Sequence, residues 1–481
     1  MKISDFGIVC VACAATLIQA ETFSTPIYSV ARNSTYAYAK RAAAREDRIA
    51  RIRVNSHRKG GGKKARTRAS RRGSHNKGGQ RRLKGPVGGV ENDEKYLMAM
   101  REGLVDDGRA TYGSGVPEWD WNELLYVINL EVGSPPQSSR ALLSISDNDM
   151  FIPSIDCTNT CYSHELYNFS LSNTQKMTGT LFAMDYARCS AFGNLTSDTI
   201  HLAGLTVPQQ FGAVDSIGRF TDPDWGNLEW DGLLGLAPSS MHSPNSISNP
   251  FLNLHSQNFL PNPLFTLLLP QHPPTPGLLT FGSINHTLYT GPLKPLPLLN
   301  HNLVSKNRPP FLPDLITDRW QVPCTSLSIS GTSSSYNLRP YIALLETSYP
   351  GIGLPSSLVF SLHNYLGMEH RGFDIPVSIP CSRRDALPII TLHLGEHEFP
   401  LTAYEYTLEV EREDIGGHRC VSLFISRQED VEEEEGEEGG VKSIILGSGF
   451  LRNWFGIFNL GESHVAFGKV AVGSEKLEGK E

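Results

Sequence analysis

Two stretches of this chain repeat one another, and each carries at the same place a residue that can handle a proton. ALLSISDNDMFIPS (residues 141–154) and ALLETSYPGIGLPS (residues 343–356) share an Ala-Leu-Leu entry, a serine (Ser146 and Ser348) and a Pro-Ser exit. Their fourth positions differ: Ser144 in one, Glu346 in the other, followed by Ile145 and Thr347. A carboxylate such as Glu346 can take a proton from water, whereas a hydroxyl holds a water by hydrogen bonds and does not deprotonate it without a neighbouring base. Two carboxylates held close cannot both ionise, so they share one proton and offer an acid and a base at once. A Ser144–Glu346 couple lacks that property. Asp147, three residues after Ser144, is the acid that a local shift would bring inward; the alternative makes it, with Asn148, a polar turn residue capping the loop. A Ser-His or Cys-His nucleophile finds no support, because neither Ser144 nor Cys189 sits in a Gly-x-Ser-x-Gly type of motif and no His is tied to either by spacing.

The elements that must hold these residues also repeat. After each copy an apolar pair runs into a glycine, Leu233-Leu234-Gly235 and Ile445-Leu446-Gly447, and two echoes in the same order predict two lobes of one topology. Tyr126, Ile128, Leu130 and Val132 alternate as a half-buried strand does and stop at the turn Gly133-Ser134-Pro135-Pro136. Similar runs at 199–205, 326–329, 389–394 and 465–472 predict further strands, while helical periodicity is sparse. With 44 Gly and 31 Pro punctuating these runs, the expected class is all-β.

Charge divides the chain. Of 43 Lys and Arg, 20 lie in residues 1–84 beside only 4 of the 50 Asp and Glu, which leaves 23 against 46 in the remainder. The body is acidic and the front end basic. Residues 1–20 read as a secretory signal: Lys2, then an apolar run from Phe6 to Ile18, then Ala20. That run is too short to span a bilayer, so no membrane association is expected. Residues 21–117 read as a basic, largely disordered propeptide or linker with dibasic pairs such as Lys40-Arg41 and Arg81-Arg82. A polybasic stretch suits phosphates, but a secreted chain makes nucleic acid the wrong partner, and complementarity to the acidic body accounts for both halves of the asymmetry. The lobes are expected at 118–305 and 306–481, the second with a solvated acidic loop at 429–440. Four sequons, at Asn33, Asn168, Asn194 and Asn285, fit glycosylation on the secretory route. Beyond the leader six cysteines remain, an even number that favours disulfides. Cys157 with Cys161 would close a short loop and Cys381 with Cys420 a longer one; the pairing of Cys189 and Cys324 stays open. Nothing has zinc spacing, and neither metal nor cofactor is expected.

At these residues the chain resembles the pepsin-like aspartic endopeptidase family, over about Trp119 to Val472. LEVGSPPQ (130–137) and MFIPS (150–154) are similar to the segments flanking the family's first active-site loop, and WDGLLGLA (230–237) and IILGSGFLRNWFGIF (444–458) to the glycine-containing segments that support each loop. MDYARCSAFGNLTSDTI (184–200) resembles the flap, with Tyr186 on the flap tyrosine and Arg188 and Cys189 where the family has small residues. The resemblance implies a bilobal all-β fold of two pseudo-symmetric barrel-like lobes around a cleft. It also implies disulfides Cys157–Cys161 and Cys381–Cys420 and a monomer binding an extended polypeptide through Tyr186, Thr347 and Asp147.

The resemblance fails at its centre, since the family's Asp-Thr-Gly triplets read Ser144-Ile145-Ser146 and Glu346-Thr347-Ser348 here. Glu346 is longer than Asp by a methylene, an offset of roughly an ångström that can cost about 10²-fold in rate. Ile145 also lacks the hydroxyl by which the family's threonines bond across the lobes, leaving Thr347 alone. A secreted or vacuolar pseudo-peptidase with an intact cleft is the expectation; the alternative is an acid endopeptidase using Glu346 and an activated water.

Overall fold

The computed structural model describes residues 23–29 and 124–471, apart from 159, 162–163, 187–188, 219–229, 239–244, 246, 271–276, 300–318, 333–334, 339–340, 370–376, 413–416 and 428–442. The signal segment, the polybasic run with its dibasic pairs, Asn33 and the acidic loop 429–440 therefore lie outside the described residues.

The alternation read from the sequence becomes a ladder. In chain order the first strands are β1 (Phe23–Ser29), β2 (Tyr126–Val132), β3 (Gln137–Ser144) and β4 (Met150–Pro153). In β2, Ile128, Leu130 and Val132 are buried while Asn129 and Glu131 face out, so one face of the pleat enters the core. A long hairpin of β5 (Lys176–Tyr186) and β6 (Cys189–Leu202) is followed by β7 (Leu205–Ile217) and β8 (Gly232–Gly235). The run expected as one strand at 199–205 is instead the join of β6 and β7. Ala203 (φ 54°) and Gly204 (φ 76°) both take positive φ, the two-residue turn that matches strand twist, so an apolar pattern passes through a reversal without a break.

Helix α1 (Pro250–Ser256) starts where Asn249 Oδ1 accepts from Leu252 N at 3.0 Å and Pro250 takes the first helical position. Then come β9 (Leu264–Leu268), β10 (Gly277–Phe281) and β11 (Tyr289–Pro297). The second lobe opens with β12 (Gln321–Ile329), β13 (Ser335–Asn337), β14 (Ile342–Leu345) and β15 (Ile352–Pro355), and helix α2 (Ser356–Leu366). It continues with β16 (Ser378–Pro380), β17 (Ile390–Leu394), β18 (His397–Leu401), β19 (Thr407–Arg412) and β20 (Gly417–Ser422). The last strands are β21 (Phe424–Arg427), β22 (Ser443–Leu446), β23 (Trp454–Asn459) and β24 (His464–Val470).

The repeat is a repeat of topology. In the first lobe β3 pairs parallel with β8, β8 antiparallel with β4, and β4 parallel with β7. In the second, β14 pairs parallel with β22, β22 antiparallel with β15, and β15 parallel with β21. The fold is the bilobal all-β one that the sequence leads to.

Two boundaries need correction. Residues 23–29 belong to the segment 21–117 expected to be a basic, largely disordered propeptide or linker, yet they form β1, seated between β10 and β2. The stretch precedes the basic run and sends Thr25 and Ile27 inward, which the regional charge average hides. The lobes also do not separate cleanly at 305/306. Among the described residues, β23 and β24 return to the 13-stranded sheet of the first lobe, where β23 pairs with β9 and β24 with β11. An aromatic cluster seals this return: Phe265 stacks on Phe458 at 4.8 Å and meets Trp320 edge-on at 5.6 Å. Each ring so buried contributes roughly 1.5–3 kcal/mol by area.

Candidate active site

Each lobe ends a strand at, or one residue before, the position the repeat singled out. Ser144, the last residue of β3, lies opposite Gly235 of β8, and Leu236 N donates to Ser144 O at 2.8 Å. In the second lobe Glu346 N donates to Leu446 O at 3.2 Å, just before Gly447. Both glycines are required by close backbone approach. A Cβ on Gly235 would lie 2.4 Å from Asp147 O, and one on Gly447 would lie 2.1 Å from Tyr349 O. These contacts clamp each loop against the strand that supports it.

The Thr347 side chain joins the loops. Buried Thr347 donates its hydroxyl to Leu143 O and accepts from Ile145 N at 3.2 Å, so the residues on either side of Ser144 are bonded to the residue next to Glu346. Positions 144 and 346 therefore share a floor between the lobes. The contact is one-sided, because Ile145 has no hydroxyl to return. Ser448 fastens the second loop from below, its hydroxyl lying 2.6 Å from Leu124 O and 2.9 Å from Thr347 O.

The floor's polar atoms are heavily committed. Ser144 is fully buried; its hydroxyl donates to Asp147 Oδ2 at 2.7 Å and accepts from Asp147 N at 3.1 Å and Ser146 N at 3.3 Å. Of the two readings of Asp147, neither holds alone: it does turn the loop, and its carboxylate also reaches back to the position of Ser144. Across the floor, Glu346 is 5% exposed and accepts from the Ser348 hydroxyl at 2.9 Å.

Tyr186 ends β5 opposite Cys189 at the tip of the hairpin; its side chain, with Arg188, lies outside what is described. Both expected disulfides are present, Cys157–Cys161 and Cys381–Cys420. Cys324 is a buried free thiol, pushed up to about 12 by burial, so it does not pair with Cys189. Asn168, Asn194 and Asn285 are half-buried; Asn168 caps a short turn of helix and Asn285 accepts from the Thr287 hydroxyl at 2.7 Å. Among the described residues, Cys381, Glu409 and His418 gather ligand atoms within 4.8 Å, but the Cys381 sulfur is held in its disulfide.

Sequence reasoning missed two buried carboxylates of the first lobe. Burial alone would raise the Asp198 carboxyl, but the Thr174, Tyr167 and Ser172 hydroxyls and the Thr199 N–H outweigh it and hold it below the usual range. Asp231 is likewise opposed by burial and held low by His164, Arg140 N and Glu165 N. It follows Trp230 in the segment WDGLLGLA, where the sequence pattern marks the glycine and gives no sign of a buried acid. Asn245, which contacts Asp149, was missed too, since a half-buried Asn in a polar loop has no spacing signal.

A model of the family described as eukaryotic aspartyl protease matches residues 125–470. Vacuolar protease A of Aspergillus fumigatus is 29% identical over 355 residues, covering 72% of this chain and 78% of that protein. Cathepsin D of Dictyostelium discoideum is 28% identical over 369 residues, covering 75% and 87%. Pregnancy-associated glycoprotein 2 of Bos taurus is 26% identical over 346 residues, covering 71% and 81%. No helix among the described residues is long and apolar enough to cross a membrane.

Proposed function

Because the chain belongs to the eukaryotic aspartyl protease family, we propose that it is a pseudo-peptidase whose cleft takes an extended polypeptide and cuts it poorly or not at all. The observation that carries this reading is the saturation of Ser144. Its proton is given to Asp147 and its lone pairs are taken by two backbone N–H groups, so it neither activates a water nor protonates a leaving group. Each lost acid or base role is worth about 10²- to 10⁴-fold in rate. Binding does not depend on those roles, since an extended chain is held by main-chain hydrogen bonds and side-chain pockets. On this reading the protein travels the secretory route to the exterior or an acidic vacuole, carries glycans at its sequons, sheds the basic segment as a propeptide and acts as a monomer.

A second reading keeps some hydrolysis, and one observation favours it: the Asp147 carboxylate is a single hydrogen bond from Ser144, so the floor holds two acids, Asp147 and Glu346. Incubation with a denatured protein substrate from acid to neutral pH separates the two. The pseudo-peptidase reading expects no cleavage above background together with measurable binding of a statine-type peptide inhibitor. Cleavage that Glu346→Ala abolishes and the inhibitor blocks would overturn it.

A further inference from the structure

The β5–β6 hairpin closes the 13-stranded sheet, and β5 is its edge. An edge strand presents unpaired N–H and C=O groups that attract an added strand. At Ala183 both are already taken by one side chain. Ala183 N donates to Asn245 Oδ1 at 3.2 Å, and Asn245 Nδ2 donates to Ala183 O at 3.0 Å. The carboxamide thus pairs with the strand as the peptide group of a neighbouring strand would.

Asn245 Nδ2 also donates to Asp149 Oδ2. Asp149 is 1% exposed and sits on the loop between Ser144 and β4. Just after Asn245 in the chain, Ile247 is buried and Gln209 Nε2 donates to Ser248 O at 2.7 Å. One side chain therefore ties the hairpin that ends at Tyr186 to the loop that carries Ser144 and Asp147.

We propose that Asn245 is a positioning residue that sets the height of the β5–β6 hairpin above the floor and so the affinity for an extended chain between them. This rests on the binding reading above. A hairpin held in place before the ligand arrives is not ordered at the ligand's expense, which is how pre-organisation raises affinity. Asp149 makes the tie strong, because a hydrogen bond to a buried carboxylate outweighs one between neutral groups.

The test uses the full chain and two readouts: hydrogen exchange at the Ala183 amide, and affinity for a statine-type peptide inhibitor. Asn245→Ala is expected to speed exchange at Ala183 about tenfold and weaken the inhibitor about tenfold, the loss of one to two hydrogen bonds. Asn249→Ala is the control: it removes a buried cap on the same segment without touching β5 or Asp149, and should leave both readouts as in wild type. Asn245→Asp keeps the acceptor for Ala183 N. In acid its carboxyl shares a proton with Asp149, so both readouts should move back toward wild type; at neutral pH the two charges repel and the hairpin loosens. Unchanged exchange at Ala183 in Asn245→Ala, or equal acceleration by Asn249→Ala, overturns the proposal. A wild-type chain that binds no inhibitor sinks the binding reading, while the exchange rates still decide the role of Asn245.

Discussion

The two lobes hold their central residues with the same backbone and different side chains. Both end a strand beside a glycine-containing segment, both pass the following loop over that glycine, and both use the same order of parallel and antiparallel partners. On those matched scaffolds one lobe presents a hydroxyl turned back onto Asp147, and the other a carboxylate held by Ser348. The cross-lobe contact is uneven as well, since the Thr347 hydroxyl bonds the backbone of both Leu143 and Ile145 while the Ile145 side chain has no hydroxyl to offer. The difference teaches that the loop is specified by backbone packing, so the residue at its centre can differ between the lobes without loss of shape. It also shows why a matching fold is weak evidence of matching chemistry.

The widest test of the shared scaffold is Gly447→Ala. Its Cβ would stand 2.1 Å from Tyr349 O and 2.4 Å from Gly351 O, both backbone atoms that cannot swing aside. A loss of about 3 kcal/mol or more in denaturant unfolding is expected, with Gly235→Ala close behind. If Gly447→Ala unfolds with wild type, the lobes do not depend on the glycine in the way the symmetry requires.

Thr347→Val probes the uneven contact next. It leaves Leu143 O and Ile145 N buried without their partner, and should cost about 2–3 kcal/mol by the same unfolding assay. Ile145→Thr, which offers the missing hydroxyl and gives up apolar burial, should fall within about 1 kcal/mol of wild type. A larger cost for Ile145→Thr than for Thr347→Val would reverse the asymmetry.

Acid separates the lobes next, through Asp198 of the first. Its carboxyl is held below the unfolded value, so its contribution is present above the unfolded pKa, roughly pH 4, and disappears as pH falls through the folded one. Stability curves of wild type and Asp198→Asn should therefore differ at neutral pH and converge in strong acid. Parallel curves across that range would remove the carboxylate from the account.

The smallest effect concerns Ser144 itself. Ser144→Ala removes one donor and one acceptor from a closed network, which costs about 1 kcal/mol. Any residual peptidase rate should stay where it was, because the hydroxyl is already committed. A rate that falls with Ser144→Ala would show that the serine handles a proton after all.

The repeat was legible because strand ends and supporting glycines are short-range requirements: apolar alternation writes the strand, and a backbone contact excludes every residue but glycine. The pairs Cys157–Cys161 and Cys381–Cys420 were legible in the same way, through spacing and resemblance. β1 was not, since its seven residues precede a long basic run and inherit its average. Nor was the Ala203-Gly204 reversal, because apolar pattern continues on both sides of a two-residue turn. The commitment of Ser144, the reach of Asp147 and the bridge made by Asn245 left no mark in spacing at all.

What the sequence by itself determined is the doubled β architecture and the residue types at its centre, because these follow from local periodicity and from the chemistry each side chain carries. Only the tertiary structure decided which polar atoms are already spent, which carboxylate leans toward Ser144, and which side chain joins the hairpin to the floor. Hydrogen-bond partners far apart in the chain are chosen by where packing delivers them, and packing is a property of the folded whole.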